Sequence, residues 1–241
     1  MAKKVIITGN GKGLGFAITK KLLEEKYEVI GISRTLTPEL LALEECWTEQ
    51  LHIYQYDFFD TAGISNLVKR ITSTHGRPYA LINNAAIGKD GVLATMHETD
   101  ISALLKINVE APILLTKYIS RPMLLNRSGR IINVGSIIGS TGFNGLSVYG
   151  ASKSAMEGFT KSLARELGKA NITVNTLAPG YMETNMTDGL IGDKLEKIKR
   201  RSCLGRLASV DDAAGAVLYL LSDAASGVTG ITLTIDAGST A

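Results

Sequence analysis

Four polar side chains in this sequence have the types and spacing to move a proton at a reacting oxygen: Asn108, Ser136, Tyr149 and Lys153. Tyr149 and Lys153 stand four residues apart in Val148-Tyr149-Gly150-Ala151-Ser152-Lys153, so a helix places them on one face. A phenol with its usual pKa near 10 is a poor proton shuttle at neutral pH. An ammonium about 5 Å away, at an effective dielectric near 20, favours the phenolate by roughly 3 kcal/mol, or about two pKa units. Tyr149 is therefore expected to be acidified by Lys153 and to protonate an alkoxide. A bare Tyr-x-x-x-Lys is also a common structural spacing, so its surroundings decide its meaning. Ser136, in Gly135-Ser136-Ile137-Ile138-Gly139, directly follows an apolar run. Its hydroxyl could hydrogen-bond a carbonyl and stabilise the charge that grows there, or simply form a turn. Asn108 is polar within an otherwise apolar helical run, where it could bond a neighbouring carbonyl or hold a water near Lys153.

A second group of residues could hold a nucleotide. The first apolar run leads into Thr8-Gly9-Asn10-Gly11-Lys12-Gly13-Leu14-Gly15 and then into a helical pattern. The G-x-G-x-x-G dinucleotide fingerprint fails, because Leu14 stands where its third glycine belongs. The spacing T-G-x-x-x-G-x-G fits, on Gly9, Gly13 and Gly15. Glycines there let the backbone turn sharply beside a pyrophosphate, while the helix N-terminus offers free N–H groups. An NAD-binding chain usually carries an acidic residue about 20 residues beyond this turn to hold the ribose 2′-hydroxyl. Here Ser33 and Arg34 occupy that stretch, and Lys12 lies in the turn itself. Two cations suit a 2′-phosphate, and one charged hydrogen bond of about 1.5–3 kcal/mol favours NADPH tenfold or more. Asp57-Phe58 could hold an adenine, or could be a capping aspartate beside a core aromatic. Small residues in Asn83-Asn84-Ala85-Ala86 permit close approach to a ribose.

These residues need a scaffold that brings strand ends together. Short β-branched runs predict strands at 4–8, 28–32, 51–54, 80–82, 130–134, 173–176 and 231–235. Several are continuously apolar, as strands covered on both faces must be. Between them lie amphipathic stretches: Ile18, Leu22 and Leu23 suit a first helix, and Ile64, Leu67, Val68 and Ile71 a third. Thr37-Pro38-Glu39 predicts a helix start, with an N-cap and a proline at the first helical position. This alternation argues for an α/β fold, a doubly wound Rossmann-type domain with a seven-stranded parallel sheet flanked by helices. Without a linker-like or repetitive stretch, residues 1–241 are expected to form one domain.

Composition excludes several classes. A net charge of +3 is too small for nucleic-acid binding, and the densest basic stretch, 194–201, suits a solvated helix face. No apolar run approaches the ~20 residues of a membrane span, and the N-terminal run is too short for a signal peptide. Two isolated cysteines, Cys46 and Cys203, suit a reducing compartment, so a cytoplasmic protein is expected. The histidines, His52, His75 and His97, show no metal-ligand spacing, and no metal-dependent mechanism is expected.

Taken together, the Thr8–Gly15 turn, Asn83-Asn84-Ala85, Asn108, Ser136, Tyr149-x-x-x-Lys153 and Pro179-Gly180 with Thr184 resemble the short-chain dehydrogenase/reductase family over essentially the whole chain. The resemblance implies Tyr149 as the acid/base and Lys153 as the group that lowers its pKa and binds the nicotinamide ribose. It implies Ser136 as the group polarising the carbonyl and Asn108 as the holder of a proton-relay water. Thr184 would contact the nicotinamide carboxamide beside Pro179, Gly180 and Met182, and the pro-S hydride would be transferred. Within the family the likeness is greatest to bacterial 3-oxoacyl-[acyl-carrier-protein] reductases, through the 179–187 loop, Leu204-Gly205-Arg206-Leu207 and the 227–238 tail. It implies a substrate lid at about 181–205, with Ile138, Tyr181 and Met186 at the substrate, a thioester on acyl-carrier protein or CoA, and a homotetramer. Two positions depart from that pattern. Cys203 replaces a proline, and Ala170 stands where the second of two carrier-gripping arginines would accompany Arg127.

Overall fold

The apolar runs become strands that lie side by side in one parallel sheet, in the order β3-β2-β1-β4-β5-β6-β7. The computed structural model describes residues 2–182, 196 and 199–241. Strands β1 (Lys4–Thr8), β2 (Glu28–Ser33) and β3 (Leu51–Gln55) form one half of the sheet. The other half is β4 (Ala80–Asn83), β5 (Gly129–Val134), β6 (Ile172–Pro179) and β7 (Thr232–Ile235). The expected strand positions hold, with ends shifted by up to three residues. The largest extension is in β6, where Leu177, Ala178 and Pro179 continue the pairing with β7.

Helices α1 (Gly13–Glu24), α2 (Pro38–Cys46) and α8 (Val210–Leu221) accompany the chain as it returns to the amino end of the sheet. So do α3 (Ile64–His75), α4 (Glu98–Leu105), α5 (Ala111–Asn126) and α7 (Ser147–Leu167), while α6 (Ile138–Thr141) is a single turn. Two hydrophobic clusters sandwich the sheet. Leu14, Ile18, Leu22, Val217 and Leu221 close one face, and Ile64, Leu67, Ile71, Leu115, Ile119 and Leu163 close the other. Burial on both faces is why the central strands show continuous apolar runs rather than alternation.

Local signals behave as their chemistry requires. The Thr37 side chain accepts from the Leu40 N–H at 3.2 Å and caps α2. Ser209 and Asp212 form a reciprocal capping box at the start of α8, tightened by Arg206, which holds the Asp212 carboxyl down to about 2. Among the described residues, no helix is long and apolar enough to cross a membrane.

Candidate active site

Strand order reverses direction between β1 and β4, and the carboxyl ends of these strands part to leave a crevice, the usual ligand position in open α/β sheets. A groove of about 710 Å³ occupies it. The loop 9–15 forms its floor, tied to β4 through Thr8, whose hydroxyl accepts from Asn84 N at 3.0 Å and Ala85 N at 2.9 Å. Asn84 returns the contact, its Nδ2 donating to the Thr8 and Gly9 carbonyls. This cross-tie leaves no room for side chains in the turn. Gly9 has φ +73°, and a Cβ on Gly15 would lie 2.2 Å from the Gly9 carbonyl oxygen. The resulting bare backbone at the start of α1 has the form of a phosphate-binding turn, with helix N–H groups open to an anion.

The groove is lined by Gly9, Gly11, Lys12, Gly13, Leu14 and Gly15, and farther along by Ser33, Arg34, Asp57 and Phe58. Lys12 and Arg34 are exposed cations at its rim, where a 2′-phosphate could reach both. Ser33 is buried and donates to the Thr35 carbonyl at 3.1 Å. Asp57 Oδ1 accepts from Phe59 N at 3.0 Å, and Phe58 packs into the core, so both bear a structural duty as well as a groove surface. Thr8 and Asn10 do not line the groove; they sit behind the turn and shape it. Asn10 is fully buried, with neither side-chain polar atom hydrogen-bonded, packed where a Cβ on Gly31 would lie 2.0 Å from its Nδ2.

At the other end of the groove lie Ser136, Ile138, Tyr149, Lys153, Pro179, Gly180, Tyr181 and Met182, brought together from β5, α6, α7 and the end of β6. Thr184 and Met186, and most of the expected 181–205 lid, fall outside the described residues. Asn84, Ala85 and Ala86 line the middle of the groove. Asn108 does not reach it. That side chain clamps the loop after β4, donating to the Ile87 carbonyl at 3.0 Å and accepting from Ile87 N at 2.9 Å, and donating to Ser152 Oγ at 3.2 Å. Asn108 lies in a π-helical turn (Lys106–Glu110) between α4 and α5, a bulge of the kind often found near functional sites. Of its two expected uses, bonding a neighbouring carbonyl is the one seen.

The electrostatics correct one expectation. Lys153 Nζ lies 5.6 Å from the centre of the Tyr149 ring, close to the separation assumed from sequence. Yet the phenol's pKa is raised, not lowered. Burial is the leading cause, a hydrogen bond with the Ser136 side chain pulls the other way, and Tyr181 and Asp90 add to the rise. Lys153 is itself fully enclosed, and burial pushes it down to about 8 while its ammonium donates to the Val134 carbonyl at 2.9 Å. Enclosure by the tertiary fold outweighs the pairwise attraction that helical spacing suggests. Tyr149 holds its proton at neutral pH, as a phenol of ordinary pKa also does, and the rise by itself makes it a weaker proton donor.

Several other lining groups carry no signal in the residue pattern. Asp90, Phe143 and Asn144 come from the loops after β4 and α6, and Phe143 packs edge-on against Tyr181 with ring centres 6.2 Å apart. They sit in irregular loops whose only marker was high glycine content.

A dinucleotide cradle that runs into an enclosed phenol has a plain chemical use: hydride exchange balanced by a proton. Fold and site together define an oxidoreductase. The family model described as enoyl-(acyl carrier protein) reductase matches residues 9–240, and the chain belongs to the short-chain dehydrogenase/reductase family. It is 35% identical over 238 residues to the 3-oxoacyl-[acyl-carrier-protein] reductase of Escherichia coli (strain K12), covering 98% of this chain and 96% of that one. It is 37% identical over 238 residues to carbonyl reductase family member 4 of Xenopus tropicalis, covering 99% and 98%. Among solved structures, gluconate 5-dehydrogenase from Burkholderia cenocepacia J2315, in complex with NADP and tartrate, superimposes with a TM-score of 0.93. That pair shares 26% identity, over 99% of this chain and 95% of the dehydrogenase.

Proposed function

We propose that this protein uses NADPH to reduce a 3-oxoacyl thioester to the (3R)-3-hydroxyacyl thioester. The observation that carries the reading is the placing of two hydroxyls, Ser136 and Tyr149, at the end of a nucleotide groove, with the Lys153 ammonium 5.6 Å from the centre of the phenol ring. NADPH, when bound, supplies the hydride that reaches the carbonyl carbon. Ser136 orients the carbonyl oxygen, and Tyr149 delivers its proton to that oxygen as charge grows there. Lys153, anchored on Val134, positions the helix face that carries the phenol and offers its ammonium to the ribose. Asn108 fixes the Ile87 peptide and, through Ser152, the first turn of α7.

Lys12 and Arg34 select the phosphorylated cofactor, with the pyrophosphate on the glycine turn. The substrate end of the groove is walled by Ile87, Ile138, Phe143, Leu146 and Met182, an apolar surface that suits an acyl chain. Acyl-carrier protein is the favoured thioester carrier, as in the Escherichia coli relative's name. Arg127 supports this choice: it is exposed and its guanidinium donates to the Lys169 carbonyl at 3.0 Å, so two basic residues stand together beside Ala170. A homotetramer in the cytoplasm is the assembly and place we assign to it.

The test is NADPH oxidation with acetoacetyl groups on CoA and on acyl-carrier protein, with a crotonyl thioester and a small ketone alongside. We expect turnover of both acetoacetyl substrates, with the carrier-protein form preferred. Reduction of the crotonyl thioester alone would replace ketone reduction by enoyl reduction, and no turnover of any substrate would favour a nucleotide-binding sensor. Arg34→Ala should raise the KM for NADPH about tenfold while changing that for NADH little. Equal effects on the two would remove Arg34 from cofactor selection.

A further inference from the structure

The end of the sheet opposite the groove carries a second cluster of chemistry-bearing side chains. Glu28 opens β2, His52 is the second residue of β3, and His75 closes α3. His52 pairs with Ile30, so on the pleated sheet it shares a face with Glu28 two residues earlier, the face on which α3 packs. The three residues lie far apart in sequence, which is why histidine spacing gave no sign of them.

Glu28 Oε1 lies 3.6 Å from His52 Nε2 and 3.5 Å from His75 Nδ1, and all three ligand atoms fall within 4.8 Å of one another. These separations exceed the roughly 2.7–3.2 Å of an ordinary N–H···O bond. The two Glu28 separations match the edge of a tetrahedron, about 3.3–3.6 Å, for donors held about 2.0–2.2 Å from a zinc-type ion. The far side of the His75 ring is already engaged, with Nε2 3.0 Å from the Tyr54 hydroxyl. When Nε2 donates there, Nδ1 presents its lone pair toward Glu28, the second-sphere arrangement typical of metal-binding histidines. Lys4 lies 3.6 Å from the other Glu28 oxygen, Oε2, and also donates to the His75 carbonyl. It leaves Oε1 to face the two imidazoles. The side chains of Glu28, His52 and His75 are 18%, 30% and 10% exposed, enclosed yet open to an ion from solvent.

We propose that Glu28, His52 and His75 form a binding site for a divalent transition-metal ion of the zinc class, joining β2, β3 and the end of α3. Two imidazoles and one carboxylate favour such an ion over magnesium or calcium, which prefer all-oxygen sets. The site stands at the amino ends of the strands, across the sheet's length from the phenol, so its ion would stabilise the fold and take no part in reduction. Lys4 sets an upper limit on its affinity, because its ammonium repels a second cation nearby.

The experiment titrates tag-free full-length protein with Zn²⁺ by calorimetry, in a Cys46→Ser/Cys203→Ser background that removes the two exposed thiols as ligands. Thermal unfolding is followed in parallel. One ion per chain and a Zn²⁺-dependent rise in Tm are expected. His52→Gln and His75→Gln should each weaken uptake roughly tenfold or more. His97→Gln should leave it unchanged, and Lys4→Gln should tighten it about threefold or more. NADPH-dependent turnover should be the same with and without Zn²⁺. His52 is on the strand surface, so its variant keeps the test decisive if His75→Gln folds poorly. Uptake by the parent protein no tighter than by His52→Gln, or equal loss in His97→Gln, would overturn the site.

Discussion

Tyr149 and Thr160 lie on the same face of α7, about three turns apart, and their hydroxyls have opposite circumstances. Thr160 Oγ1 accepts from Asn133 Nδ2 and from Thr176 Oγ1, both at 2.8 Å, and the chain continues from Asn133 to Asn83 at 2.8 Å and on to Thr116 at 2.9 Å. All five residues are buried, and they join β4, β5, β6, α5 and α7 through side chains alone. The Tyr149 phenol, by contrast, faces the groove, with Ser136 beside it. One polar set bonds almost wholly within itself, with Asn83 Oδ1 its one buried atom lacking a partner among the described residues, and it ties helices to the sheet. The other lines the groove with its hydroxyls. The difference shows that burial of polar groups does not by itself mark a site; the direction of their remaining hydrogen-bonding capacity does.

Removing the phenol tests the groove end of α7 most directly. Tyr149→Phe removes one oxygen and no packing volume, so NADPH affinity and Tm should hold while kcat for ketone reduction falls by about 10²–10⁴, the usual worth of a positioned acid. Single-turnover NADPH oxidation and equilibrium NADPH titration would separate these effects. A variant that keeps its turnover would remove the phenol as proton donor.

Lys153 sharpens the same contrast because its interests in stability and in chemistry conflict. Its folded pKa, about 8, lies below the ordinary lysine value of 10.5, and burial is the cause. The unfolded chain therefore binds the additional proton between these two values. Stability should rise as pH climbs from about 8 to 10.5, and the full penalty of a buried ammonium applies below 8. At pH 7 that penalty is on the order of 3 kcal/mol, reduced by the bond to Val134 that the ammonium makes. Lys153→Met should thus stabilise the fold by about 1–3 kcal/mol while lowering turnover by about tenfold or more. Denaturant unfolding at pH 7 and pH 10 checks the sign, since the gain should shrink at the higher pH.

What could be seen in the sequence followed from local rules. Continuous apolar runs located the strands, Thr37-Pro38 located a helix start, and the glycine spacing located the tight turn into α1, because each depends on residues close together in the chain. Asn83 and Asn84 show where such rules stop. They are neighbours, yet Asn83 turns inward to Asn133 and Thr116 while Asn84 braces the glycine turn. Pleating sends adjacent residues to opposite sides, but which side holds the core depends on helices far away in sequence. The Tyr149 pKa failed for a related reason: the lysine distance was nearly right, whereas desolvation depends on the enclosure built by β5, α6 and Tyr181. The Asn108 clamp on Ile87 and the Glu28–His52–His75 cluster were hidden because their partners come from separate elements.

The smallest effect on chemistry is expected at the inner station. Thr160→Val keeps the shape of the side chain and deletes the oxygen that receives both Asn133 and Thr176. Two buried donors then lose their acceptor, which costs about 1–3 kcal/mol. For a chain of this length that lowers Tm by roughly 2–10 °C at fixed protein concentration. Tyr149, Ser136 and Lys153 keep their surroundings, so kcat and the KM for NADPH should stay within about twofold of the parent, since the variant removes no group that faces the reacting carbonyl. Thermal unfolding and steady-state kinetics on the same preparation decide the point. A tenfold loss of kcat at unchanged Tm would mean that the two stations on α7 are one functional unit, because the inner hydroxyl would then govern the proton donor three turns away.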